Sequence, residues 1–108
     1  MDDTESKNLQ IPAEVIDRLS KLIQEGQFSQ AIDLAIVSVE QFPVDFVGWH
    51  FLAIAQRSVG NADQAHFSLS KVTELNPHFA PGFNNFGISL DEQGEFERAI
   101  DSYSRHYP

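Results

Sequence analysis

The chain contains no cysteine, so neither a disulfide framework nor a thiolate metal site is open to it, and nothing in its make-up calls for an oxidising compartment. Basic residues are scarce. Seven Lys and Arg stand against sixteen Asp and Glu, a formal charge of -9 over 108 residues that repels phosphate backbones and anionic lipid. Nucleic acid and membrane are therefore not expected as partners. No apolar run approaches membrane-spanning length, and the start, Met1-Asp2-Asp3-Thr4-Glu5-Ser6-Lys7, lacks the apolar segment of a secretory signal, so the expected compartment is cytoplasmic.

Chemistry is equally sparse. His50, His66, His78 and His106 are too widely spaced for a local two-histidine metal motif and lack the companion carboxylate of a helical zinc site, so they read as packing or solvated side chains. Asp91-Glu92 is an adjacent carboxylate pair, but no candidate nucleophile converges with it, and a solvated helix face is the better reading. The glycines form no phosphate-cradling run. No catalytic, cofactor or metal site is expected within these residues, and no enzymatic activity.

What the chain does have is a period. Gly26, Gly60 and Gly94 stand 34 residues apart, each followed five residues later by an alanine, Ala31, Ala65 and Ala99, and Pro43 and Pro77 keep the same spacing. A fixed period of this length marks identical supersecondary units stacked side by side, each unable to bury its apolar face alone. Upstream of each glycine the pattern runs Val15, Leu19, Leu22; then Trp49, Leu52, Ala53, Gln56; then Phe83, Phe86, Gly87, Leu90, which places the packing residues on one face of a helix. Downstream, Phe28, Ala31 and Ala35, then Ala62, Ala65 and Leu69, then Phe96, Ala99 and Tyr103 describe a second amphipathic helix. Helix, glycine turn, helix, proline break is an antiparallel hairpin, with positive φ expected at Gly26, Gly60 and Gly94. Asn61 and Gln64 have the spacing of a capping box at the second turn, and Pro12 suits the opening of the first helix.

Trp49, Leu52, Ala53, Ala65, Leu69 and Pro77 match the pattern of the tetratricopeptide repeat (TPR) family, which the chain resembles over residues 12–108. The third repeat fits through Phe83, Phe86, Gly87, Leu90, Ala99 and Tyr103; the first departs from it, with Arg18 at an apolar position and Ala35 at an aromatic one. The resemblance implies an all-α, right-handed superhelical solenoid of three antiparallel hairpins: repeat 1 at 11–44, repeat 2 at 45–78 and a truncated repeat 3 at 79–108, behind an acidic disordered leader at 1–10. It also gives Trp49 a packing role between helices.

In such arrays the first helix of each hairpin lines a concave groove. By register the groove positions are Ala13, Ile16, Asp17, Ser20, Ile23 and Gln24, then Val47, His50, Phe51, Ile54, Arg57 and Ser58, then Pro81, Asn84, Asn85, Ile88, Asp91 and Glu92. The candidate peptide-binding residues are Ile16, Ser20, Val47, His50, Phe51, Ile54, Arg57, Asn84, Asn85, Ile88 and Asp91, with Phe51 and Ile54 as anchors. An apolar middle with polar ends suits a helix or extended peptide that carries apolar side chains. One TPR subfamily clamps chaperone C-terminal carboxylates with lysine, asparagine and arginine, but Ile16 and Ser20 occupy its first-repeat lysine and asparagine positions. Phe83-Asn84-Asn85-Phe86-Gly87 resembles the repeats of bacterial TPR glycosyltransferases, in which an asparagine at the place of Asn85 binds peptide backbone.

The expected function is thus a protein-interaction scaffold. Alternatives are the N-terminal, substrate-presenting arm of a larger bacterial transferase, whose catalytic domain would follow Pro108, and a self-association module. The last repeat ends before its expected proline at 111 and without a capping helix, so Tyr103, Ile100 and Tyr107 are expected at an exposed edge through which copies could associate.

Overall fold

The computed structural model describes residues 9–92 and Ser102. Residues 1–8 of the expected leader, and the second helix of the third repeat with Gly94, Ala99, Ile100, Tyr103, His106 and Tyr107, lie outside the described residues.

Among the described residues there are five helices and no strand: α1 (Ala13–Gln24), α2 (Phe28–Gln41), α3 (Phe46–Ser58), α4 (Ala62–Leu75) and α5 (Ala80–Glu92). Each packs against the next, and α1 also touches α3, which makes an all-α solenoid of stacked hairpins. Both second helices begin two residues after a turn glycine, and Pro43 and Pro77 fall in the breaks that follow them.

The turn glycines behave as their spacing predicts. Gly26 has φ 74° and Gly60 φ 85°. At the first turn Gln27 N–H donates to the Leu22 carbonyl at 2.8 Å and Gly26 N–H to Ile23 at 3.1 Å; at the second, Asn61 donates to Gln56 at 2.8 Å and Gly60 to Arg57 at 3.1 Å. These paired bonds are the Schellman arrangement, which satisfies carbonyls that the helix end leaves open. A Cβ at either glycine would meet nothing within 4 Å, so the requirement is the backbone angle and not space.

The capping box expected at Asn61 and Gln64 does not form. Asn61 makes no side-chain cap bond, and its ψ of 69° keeps the side chain from the extended geometry in which it could reach the next N–H groups. The working cap lies one helix earlier. Asp45, with ψ 114°, accepts from Val47 N–H at 3.0 Å and, with its other oxygen, from Ile11 N–H at 2.8 Å. One carboxylate therefore starts α3 and ties it to the segment leading into α1. Pro12 sits at the N-cap of α1, where its carbonyl accepts from Val15 and Ile16.

Two core clusters join the hairpins. Leu19, Ala35, Val39 and Leu52 form the first, with Val15, Trp49 and Phe51 packed on it; Leu22, Ala31 and Ala55 form the second. Trp49 packs as expected: its Nε1–H donates to the Pro43 carbonyl at 3.4 Å, and its ring meets Phe67 edge-on at 5.9 Å. Arg18 is exposed, in keeping with its departure from the pattern. Gln56 replaces the leucine of the other two repeats and is buried by donation from Ser68 Oγ to its Oε1 at 2.7 Å. Beyond α5, Ser102 donates to the Phe83 carbonyl at 2.9 Å.

Gly48 and Gly82, also 34 residues apart, sit where an added side chain would be crowded, most of all at Gly82. A Cβ at Gly48 would lie 3.0 Å from both Ile11 Cδ1 and Val39 Cγ1; at Gly82 it would lie 2.7 Å from Val72 Cγ1 and 3.1 Å from Phe79. Each glycine lets the start of a first helix press onto the preceding second helix, and the stiff valine rotamer at 72 leaves little room to yield.

Two substitutions test these features by urea unfolding. Gly60→Ala should destabilise by about 1 kcal/mol through backbone strain alone; an unchanged midpoint would show that the turn tolerates a side chain. Asp45→Ala should cost about 1–2 kcal/mol, since it removes a cap and leaves Ile11 N–H unpartnered, whereas Asn61→Ala should sit within about 0.5 kcal/mol of the parent.

Candidate functional site

The first helices bring part of the expected groove together. Ile54, Arg57 and Asn85 line one cleft of about 330 Å³, with Ala53, Ser58 and, from the second helix of repeat 2, Leu69. The floor is apolar, through Ala53, Ile54 and Leu69, and the polar groups sit around it. The cleft lies between α3 and α5, and the same two helices are linked at its rim: Arg57 Nη2 donates to Glu92 Oε2 at 2.7 Å.

At the other end of α3 the contact with repeat 3 is aromatic. Phe46 and Phe79 lie 4.7 Å apart, and His50 stands edge-on to Phe79 at 5.1 Å and 5.8 Å from Phe51. His50 Nδ1 is buried without a hydrogen-bond partner, and burial pushes the imidazole pKa below its ordinary 6.5. His50 thus packs among aromatic rings, with burial favouring its neutral form.

The remaining expected residues are spread more widely. Phe51 is half-buried and packs on the Leu19 cluster as well as facing His50, so it serves the core too. Val47 is half-buried, with its N–H held by Asp45. Ile16 and Ser20 are half-buried on α1, apart from the Ile54 cleft, and Ser20 Oγ accepts from Gln24 Nε2 at 3.2 Å. Asn84 and Ile88 are half-buried on α5, beside Asn85 but outside the cleft lining, and Asp91 is exposed. Ile23 packs on the Leu22 cluster. His66 is a packing histidine, 5.0 Å from Phe86, with Nδ1 3.0 Å from Ser89 Oγ.

Sequence reasoning missed two members of this region and one pairing within it. Leu69 comes from a second helix, which the groove rule leaves out. Phe79 lies in the loop before α5, where no periodic pattern reaches. Glu92 was on the groove face, but its pairing with Arg57 was not foreseen; the separation of 35 residues, one period plus one, was the available signal.

No protein-family model matches the sequence, and no curated protein does. Solved structures do. A MamA fragment from Desulfovibrio magneticus RS-1 superposes with TM-score 0.79 at 14% identity, over 85% of this chain and 52% of that one. The second TPR of Spaghetti (RPAP3), bound to the HSP90 peptide SRMEEVD, gives 0.80 at 15% identity, over 86% of each chain. The Sgt2 TPR domain from Aspergillus fumigatus gives 0.78 at 16%, over 86% of this chain and 62% of that one. The chain therefore has the tetratricopeptide-repeat fold and spans about half the length of the MamA fragment.

The lowered pKa of His50 gives a pH prediction. The folded state keeps the ring neutral while the unfolded state protonates it near 6.5, so this contribution to stability is complete above that pH and is lost as the pH falls toward the lower folded value. Unfolding free energy should drop as the pH falls from neutral through 6.5, and His50→Gln should flatten that drop by up to one proton's worth of slope. Equal slopes in the two proteins would place the titration elsewhere.

Proposed function

We propose that this chain is a protein-interaction module that binds a peptide segment in the groove formed by α1, α3 and α5, with an apolar side chain of the partner seated in the Ile54 cleft. One observation carries the reading. Ile54, Arg57 and Asn85, three residues that helix register assigns to the groove, converge on a single cleft with an apolar floor and polar rim. About 330 Å³ suits one large side chain. Asn85 stands at the rim with an amide that can donate to and accept from a partner's backbone.

The neighbours support the class of function without naming the partner. The Spaghetti TPR of similar fold is described with a bound HSP90 peptide. This groove differs in chemistry from a carboxylate clamp: Ile16 and Ser20 occupy two of its first-repeat positions, and Arg57 is already paired with Glu92. Apolar anchoring, with backbone hydrogen bonds for register, is the mode that fits.

The test is capture of peptides from a random display library by the 108-residue chain. Ile54→Ala should weaken the affinity of the enriched peptides by about thirtyfold, the equivalent of about 2 kcal/mol for a central anchor, with helical circular dichroism unchanged. Phe51→Ala should weaken capture and also lower the unfolding midpoint, because its ring packs on the core. Retained affinity in the Ile54→Ala protein would move the site elsewhere.

A further inference from the structure

Along the groove positions of α1, α3 and α5 the charged side chains are Asp17, Arg57, Asp91 and Glu92, three carboxylates and one guanidinium. The guanidinium is occupied. Its Nη2 donates to Glu92 Oε2 at 2.7 Å, from one first helix to the next, with the two side chains 38% and 50% exposed. This is a short, charge-assisted contact at the mouth of the Ile54 cleft, which Arg57 itself lines. As an exposed pair it adds little to folding. Its larger effect is to cancel the positive charge where a partner's side chains would enter.

The consequence differs for the two signs of ligand charge. A carboxylate arriving at the cleft meets a guanidinium whose charge Glu92 already balances, and it must approach beside that carboxylate and Asp91, which is exposed next in sequence. Charges within about 8 Å still act on one another at physiological salt. An ammonium or guanidinium meets carboxylates that, among the described residues, pair with no cation other than Arg57: Asp91 and Glu92. The chain's net charge of -9 pulls in the same direction at longer range.

We propose that the Arg57–Glu92 pair silences the one cation of the groove and so selects partner segments in which Lys or Arg flanks the apolar anchor, while rejecting acidic ones. The proposal rests on the peptide-groove reading above and adds the partner's charge to it.

A random dodecapeptide display library, panned in parallel on the parental chain, on Glu92→Gln and on Ile54→Ala, separates the two. The parental pool should be enriched in Lys and Arg next to an apolar residue, and binding of the best peptide, followed by fluorescence anisotropy, should weaken as salt is raised. Glu92→Gln, which leaves Arg57 free, should lose the basic bias, admit acidic residues beside the anchor, and bind the best parental peptide about two- to fivefold more weakly. A neutral or acidic parental pool that still depends on Ile54 would overturn the charge proposal and leave the groove standing, as would a Glu92→Gln pool identical to the parental one. Absence of enrichment, or enrichment indifferent to Ile54→Ala, would overturn both readings.

Discussion

The seat of α3 against the first hairpin carries the rest of the molecule. Leu19 from α1, Ala35 and Val39 from α2 and Leu52 from α3 meet in one cluster, in which Leu19 and Ala35 are wholly buried. Burying a leucine is worth about 1.5–3 kcal/mol, and the alanines at 31, 35 and 55 allow the backbones close enough for the leucines to interlock. No hairpin of this size could cover its own apolar face. This contact keeps the first helix of one hairpin beside the first helix of the next, and the candidate residue Phe51 packs on the same cluster.

Most of the architecture was legible because it rests on local rules repeated in register. The hairpin turns follow from Gly26 and Gly60, whose positive φ no other residue adopts as readily. The helix faces follow from the spacing of Val15, Leu19 and Leu22 and their counterparts. The failures are pairwise events that no period announces. Asn61 has the composition of a cap, yet the Schellman bond that draws its N–H to Gln56 leaves its backbone at the wrong ψ for the side chain to act. Asp45 does cap, and its link to Ile11 spans one full period, so the same spacing that revealed the repeat also held this contact, unread.

The site was legible to a lesser degree. Helix register places side chains on a face but not at a depth, and depth decides which of them a partner can reach. Phe51 and Ile54 are one turn apart on the same helix; one shares its ring with the core and the other lines an open cleft. Polar substitutions inside the packing pattern have the same character. Gln56 looks like a flaw where Leu22 and Leu90 stand in the other repeats, until Ser68 supplies a partner at 2.7 Å and makes it a specific joint between α3 and α4.

The glycines at 48 and 82 have a reach well beyond their own contacts. Each sits where one repeat is fastened to the preceding one, at 3.0 Å and 2.7 Å from the nearest side-chain carbon once a Cβ is imagined. In a structure built by serial stacking, every later unit inherits the orientation of the joint before it. A single added carbon at such a joint works as the short arm of a lever: a few tenths of an ångström of displacement at Gly48 becomes a larger swing of the helices that follow.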